Sequence, residues 1–316
     1  MEVIQKGQLS RRKILKSKSG SEPGKVVLVD KPCGPTSHDV VLWARRTLGT
    51  SRVGHSGTLD PFASGLLLIM SGWATRISEY LTALPKVYSA TIQLGISTDT
   101  DDSTGEVLER NENWRHLHKS NIIKCLKEFE GLISQTPPQY SAKKVQGERM
   151  YRKARRRERV QLDPVEIEIS RIFLTELRLP SMRVTVECSS GTYIRSLARD
   201  LGIALGVGGH LSALRRLSIG GFLVENCIDA DLLREGALPD RNAEIEVSKA
   251  LKHLRSIDVG KDIAMKLRNG IPARFPDSDY KNGEVIVVLS KGELVGMAEA
   301  DREVIRPRKI CPVVGE

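Results

Sequence analysis

Five cysteines are spread over 316 residues, at positions 33, 125, 188, 227 and 311, and no two form a Cys-x-x-Cys pair. An odd, scattered set argues against a disulfide framework and fits a reducing compartment, so a cytoplasmic location is expected, with an organellar one left open by the basic N-terminus. The histidines do not join the cysteines at zinc-site spacing; His116 and His118 lie two apart in a stretch that reads as a solvated loop. No Walker-type or Gly-x-Gly-x-x-Gly phosphate loop is present, so neither a nucleotide cofactor nor a metal is indicated. The longest apolar runs are too short to span a bilayer.

What the chain has in excess is positive charge: 49 Lys and Arg against 39 Asp and Glu, a net +10. That balance points to a polyanionic partner, though many soluble proteins are mildly basic and the distribution matters more. Residues 1–24 are polar and basic with no apolar core, which excludes a secretory signal and suggests an RNA-touching tail. The segment Tyr140–Arg159 concentrates Lys143, Lys144, Arg149, Arg152, Lys153, Arg155, Arg156, Arg157 and Arg159 against Glu148 and Glu158. Charge runs are usually solvated faces; here Tyr140 and Tyr151 are interleaved.

The most informative stretch is Arg52-Val-Gly-His-Ser-Gly-Thr-Leu-Asp-Pro-Phe-Ala-Ser-Gly65. It sets one carboxylate, Asp60, in a loop of glycine and small residues. Pro61 turns Asp60 out of helical geometry. The run Leu66-Leu-Leu-Ile-Met70 that follows reads as a buried strand. A carboxylate on a loop anchored by a core strand is placed for chemistry, although Asp-Pro and Gly-Thr pairs also punctuate ordinary turns. Upstream, Val26–Val29 reads as a strand running into Asp30-Lys31-Pro32. Ser37 then reads as the N-cap of a helix with Val40, Val41, Ala44 and Leu48 on one face and Gly49 as its stop.

Further along, Lys86–Leu94 alternates strictly, with Tyr88, Ala90, Ile92 and Leu94 on one face. The acidic turn Asp99–Gly105 has the wrong offsets for a calcium loop. A helix is expected from Ser120, strands over 165–173 and 183–188, and an amphipathic helix over 192–205 with Ile194, Leu197, Ala198, Leu201 and Leu205 inward. Leu214 reads as ordinary helix core. Short strands at 284–289, 293–296 and 303–310 suit a small β-barrel. Strands interleaved with helices in this irregular order predict an α+β sheet domain followed by a smaller β domain.

Strand, Asp-Lys-Pro turn, capped helix and Gly-His-Ser-Gly-Thr-Leu-Asp-Pro, in that order, resemble the TruB-type tRNA pseudouridine synthases. The resemblance is strong over residues 25–228 and fainter beyond. It implies a pseudouridine-synthase-like mixed sheet flanked by helices in a catalytic domain over 25–247, and a PUA-like RNA-binding β-barrel over 248–316. The Pro-Pro-x-Tyr-Ser-Ala segment would open a thumb loop, about 137–160, that closes on an RNA hairpin. Its triple arginine and Pro164 depart from the family pattern.

The resemblance makes Asp60 the catalytic nucleophile. Gly-Thr-Tyr-Ile-Arg195 matches a family motif whose arginine pairs with that aspartate. Arg195 also lies in the first turn of its expected helix, where a cation opposes the macrodipole and is better tolerated beside a carboxylate from elsewhere. Aromatics are only 4% of the chain, so tyrosines inside two matched motifs stand out. Tyr88 fills the stacking position and Tyr193 the position beside a flipped base, as a base taken out of its stack requires; Tyr88 is equally a sheet-face core residue. Leu214 matches a pocket leucine. Lys31 and His55 match positions near the active loop, which the resemblance makes substrate-binding, His55 against the RNA around the vacated position, with a hydrogen-bonded structural role open for His55.

The function so implied is isomerisation of uridine to pseudouridine at position 55 in the T arm of tRNA, without cofactor and without an obligate protein partner. Two rivals stand beside it. A guide-RNA-dependent, dyskerin-like synthase shares the active loop, but the turn at 98–105 and the basic thumb resemble the stand-alone enzymes. A tRNA-folding chaperone without essential catalysis would have no need of an Asp60–Arg195 pair.

Overall fold

The computed structural model describes residues 24–139, 162–239, 242–275 and 280–313, together with the backbone of 144–145 and 148–149. The fold is α+β, a large mixed sheet with helices and a smaller, curled C-terminal sheet. The main elements of the large sheet and its flanking helices are, in chain order, β1 (Val26–Lys31), α1 (Ser37–Thr47), β2 (Val53–Ser56), β3 (Ser64–Ser71), β4 (Lys86–Leu94), α2 (Lys119–Glu128), β5 (Gly131–Gln135), β6 (Val165–Arg178), β7 (Ser181–Cys188), α3 (Ile194–Ala204), β8 (Gly209–Ile219) and β9 (Ile228–Asp229). Strand order is β9-β1-β3-β8-β4-β7-β6-β5, with β2 paired to β3. The β1–β9 and β3–β8 pairs are parallel and the other neighbours antiparallel.

Burial explains the strand patterns. In β4 buried and half-buried positions alternate along the whole strand, one face on the core and the other partly covered. In β3 Gly65 to Met70 are all buried, because both sheet faces are packed there, and such a strand reads as a continuous apolar run. One apolar cluster joins Tyr88, Ala90 and Ile92 of β4 to Ile194, Leu197, Ala198 and Leu201 of α3, so the amphipathic helix lies on the face of the central strands. Gly202 allows its close approach: a Cβ there would sit 2.3 Å from the backbone of Gly208 and Gly209.

Two sequence expectations are corrected. The N-cap of α1 is Thr36, not Ser37: Thr36 and Asp39 form a reciprocal capping box, while Ser37 is buried. Leu214 lies on a strand, not a helix. Register shifts between Leu211 and Ala213 and between Arg216 and Ser218 break the period-two pattern of β8, so Leu211, Leu214 and Leu217 recur at helical spacing within a strand. Pairing to β4 along nearly all its length decides the matter.

Beyond residue 250 come β10 (Ser256–Asp258), α4 (Lys261–Arg268), β11 (Ala273–Arg274), β12 (Glu284–Ser290), β13 (Glu293–Asp301) and β14 (Val304–Ile310). They form a five-stranded sheet in the order β10-β12-β13-β14-β11. Val287, Met297 and Cys311 share an apolar cluster with Val26, Leu28 and Leu68, so this sheet packs on the large one. Among the described residues no helix is long and apolar enough to cross a membrane.

Candidate active site

Asp60 sits in the connection between β2 and β3, and three tethers fix that loop. The buried Ser37 Oγ donates to the Leu59 carbonyl at 3.0 Å and accepts from the Leu59 amide at 2.9 Å. The Gly34 amide donates to the Pro61 carbonyl at 2.7 Å. Leu59 is buried in the main core cluster. The residues on either side of Asp60 are therefore held, and its side chain remains 35% exposed at the edge of a pocket.

Arg195 reaches Asp60 from α3. Its Nε lies 3.0 Å from Oδ2, and its Nη2 donates to Oδ1 at 3.4 Å, a two-point contact of the kind a planar guanidinium favours. Nη1 donates to the Thr100 carbonyl at 3.2 Å and lies 3.4 Å from Asp102 Oδ2. Burial pushes the Asp60 carboxyl above its ordinary value, Arg195 opposes that shift, and Asp102 adds to it. The carboxylate is thus held in a partly dry site by one buried cation.

Asp102 was not foreseen from the sequence, where its turn reads only as a failed calcium loop. It is 4% exposed, and its Oδ1 accepts from Thr100 Oγ, the Thr104 amide and Thr104 Oγ at 2.6–2.9 Å. The turn is built to carry a carboxylate under Arg195. Beside it Asp101, at φ +61°, pairs with Arg199 at 2.8 Å. A second unforeseen residue is Gln135 at the end of β5. Its Oε1 accepts from the Tyr193 amide at 2.8 Å and its Nε2 donates to the Tyr193 carbonyl at 3.1 Å, which fixes the entry to α3. The Thr136 carbonyl then accepts from Ser196 and Arg199.

The pocket encloses about 270 Å³ and is lined by Asp60, Tyr88, Tyr193, Arg195 and Leu214 among others. Five positions from four separate stretches of sequence thus meet around one cavity. Tyr88 is buried on β4 and Leu214 on β8, the strand beside it. Burial pushes the Tyr88 phenol up.

Lys31 and His55 are not among the lining residues. The Lys31 ammonium is fully buried and donates to the carbonyls of Pro32 and Pro35 at 2.8 and 2.9 Å; burial brings it down to about 8. It braces the turn after β1. His55 is half-buried on β2, with Nδ1 buried and without a hydrogen-bond partner among the described residues, and burial lowers its pKa. Of the expected RNA-backbone contacts, Lys143, Arg152, Arg155, Arg156 and Arg157 lie outside the described residues. Lys144–Val145 pairs antiparallel with Glu148–Arg149. Residues 1–23 of the basic tail also lie outside.

A carboxylate held at two points by a buried arginine, on the wall of a pocket lined by two tyrosines, is equipped for nucleophilic chemistry. Residues 45–194 match the family described as TruB family pseudouridylate synthase (N terminal domain), and residues 195–257 match the tRNA pseudouridylate synthase B C-terminal domain. The tRNA pseudouridine synthase B of Geobacter sulfurreducens is 38% identical over 295 residues, covering 89% of this chain and 97% of that protein. The chain belongs to the TruB family of pseudouridine synthases. The Thermobifida fusca tRNA pseudouridine synthase B is 50% identical over 216 residues, 66% of this chain and 73% of that one. Among solved structures, a chain of a Cbf5-Nop10-Gar1 complex superposes with a TM-score of 0.71 at 28% identity, covering 92% of this chain and 85% of that one. A chain of an H/ACA RNP bound to a substrate RNA containing 2'-deoxyuridine gives 0.70 at 26% identity, over 93% and 86%. TruB-family membership gives the pocket a substrate type, a uridine presented by RNA.

Proposed function

We propose that the chain is a tRNA pseudouridine(55) synthase that acts on the T arm of tRNA without guide RNA or partner protein, in the cytoplasm. The observation that carries this reading is the Asp60–Arg195 contact on the wall of a pocket shared with Tyr88, Tyr193 and Leu214. The reaction is an isomerisation. The bond from N1 of uracil to C1′ of ribose breaks, a bond from C5 to C1′ forms, C5 gives up its hydrogen to water, and N1 takes a proton. Electrons balance within the nucleotide, so no redox cofactor takes part. Asp60 is the nucleophile and Arg195 holds its carboxylate in place. Tyr88 and Tyr193 offer π-faces to the flipped uracil, and Leu214 closes the apolar wall. The basic segment around Lys143, Lys144, Arg149, Arg152 and Arg155–Arg157 supplies phosphate contacts. Lys31, bonded to the Pro32 and Pro35 carbonyls, and His55 on β2 lie outside the pocket lining and would meet substrate only beyond the base itself, and residues 248–316 form a PUA-like RNA-binding unit.

The solved structures that superpose well come from an H/ACA RNP and from a Cbf5-Nop10-Gar1 complex. The relatives at 36–50% identity are named tRNA pseudouridine synthase B, which favours the stand-alone reading. Purified protein incubated with a naked tRNA transcript discriminates between the two. Turnover without added protein or guide RNA supports the stand-alone enzyme; strict dependence on such partners supports the guided one.

A further inference from the structure

Arg216 is the largest fully buried side chain among the described residues, 1% exposed, and it lines the same pocket as Asp60. No carboxylate lies within ion-pair distance of it among the described residues; main-chain carbonyls receive its charge instead. Nε donates to the Leu66 carbonyl at 2.7 Å and Nη2 to the Gly57 carbonyl at 3.1 Å. Gly57 and Leu66 bracket the loop that carries Asp60, so one guanidinium ties the loop at entry and exit.

Arg216 is also the cross-strand partner of Tyr88 in the β4–β8 register, and its positive charge opposes the upward push that burial gives the Tyr88 phenol. On its other side β8 lies close against β3 because position 65 has no side chain: a Cβ on Gly65, at φ +107°, would lie 2.3 Å from the Arg216 carbonyl oxygen. Burying a cation without a counter-charge is costly. A neutral side chain would serve a purely structural strand contact more cheaply. The planar fork, by contrast, is suited to holding two carbonyls in one geometry beside the cross-strand Tyr88.

We propose that Arg216 is a positioning residue of the isomerisation, its guanidinium fixing the Asp60 loop against Tyr88 so that carboxylate and tyrosine keep a set separation across the pocket. This rests on the isomerase reading, and pseudouridine formation by the wild-type protein is therefore measured first; if none forms, that reading fails by itself. Single-turnover rate constants are then measured with saturating enzyme for Arg216→Lys, Arg216→Gln and Arg216→Ala, beside thermal unfolding of each. Saturating single-turnover constants are insensitive to the fraction of folded enzyme, so a merely structural role would leave them unchanged.

The expected result is a loss of about 100-fold in the rate constant of Arg216→Lys, the scale of a misplacement near 1 Å. The half-saturating enzyme concentration should stay unchanged, and guanidinium ion at non-denaturing concentration should partly rescue Arg216→Ala. A folded Arg216→Lys with the wild-type rate constant, a loss confined to half-saturation, or an Arg216→Ala indifferent to guanidinium would overturn the proposal. Should the variants not fold, side-chain ¹⁵N spectra of arginine-labelled wild-type protein decide. Distinct, slowly rotating Nη resonances for Arg216 are expected, and a freely rotating guanidinium would overturn it.

Discussion

Arg195→Lys removes the fork and keeps the charge. In the wild type, Arg195 touches Asp60 at two points and reaches Asp102 and the Thr100 carbonyl with its remaining nitrogen. A lysine has one nitrogen and can keep one carboxylate. A hydrogen bond between charged groups is worth about 1.5–3 kcal/mol. Asp60 is 35% exposed, so solvent screening puts the loss at the lower end, about 2 kcal/mol or roughly thirtyfold in rate. A carboxylate no longer fixed in angle costs a further factor, for a total of about 10²- to 10³-fold. The assay is tritium release from tRNA carrying [5-³H]uridine, since forming the C5–C1′ bond expels that hydrogen. Enzyme is kept in excess so that one turnover is observed. Affinity for tRNA should barely change, because the fork faces Asp60. A rate constant within about threefold of wild type, under 1 kcal/mol, would refute the two-point hold.

Ser37→Ala leaves the buried amide and carbonyl of Leu59 unpaired. It should destabilise the protein by about 2–4 kcal/mol, read as a lower urea midpoint, and slow turnover by loosening the Asp60 loop. The Asp60 carboxyl is raised by burial, so the folded state holds its proton more tightly than the unfolded chain does. Its contribution to stability is therefore lost as pH rises from the ordinary carboxylate value to the folded one. The melting temperature of Asp60→Asn minus that of wild type should increase across that window and be level on either side, and the acid limb of turnover should lie above about pH 4. Replacing Arg155, Arg156 and Arg157 by Ala should weaken tRNA binding and reduce the log–log salt slope by roughly 0.7–0.9 for each phosphate that is no longer neutralised; an unchanged slope would make the run a solvated face.

The fold was legible where local pattern and tertiary environment agree. The strict alternation of β4 and the apolar stripe of α3 each announce one buried face, and the unbroken run in β3 announces two. It was not legible in β8, where bulges re-space the leucines at helical intervals and only pairing with β4 and β3 makes the segment a strand. The cap of α1 lies one residue before the one its sequence suggests because Thr36 and Ser37 are both good caps, and the tether to Leu59 recruits Ser37 elsewhere. In the site, Asp60 and Arg195 come from motifs that state their residue types openly. Their supports do not. Gln135 grips Tyr193 across 58 residues of sequence, and Asp102 reaches Arg195 from a turn whose own hydrogen bonds look self-sufficient. A buried arginine such as Arg216, bonded to carbonyls, leaves no trace in composition or spacing.

The central claim is that Asp60 drives the isomerisation of one uridine in tRNA. Its most direct test incubates purified wild-type protein and Asp60→Asn with an unmodified tRNA transcript and maps pseudouridine nucleotide by nucleotide. Mass spectrometry excludes deamidation of the introduced asparagine. Stoichiometric pseudouridine at position 55 is expected with the wild type, none with Asp60→Asn, and similar tRNA affinity for both. Multiple turnover by intact Asp60→Asn, or modification by the wild type only at another position, would contradict that claim.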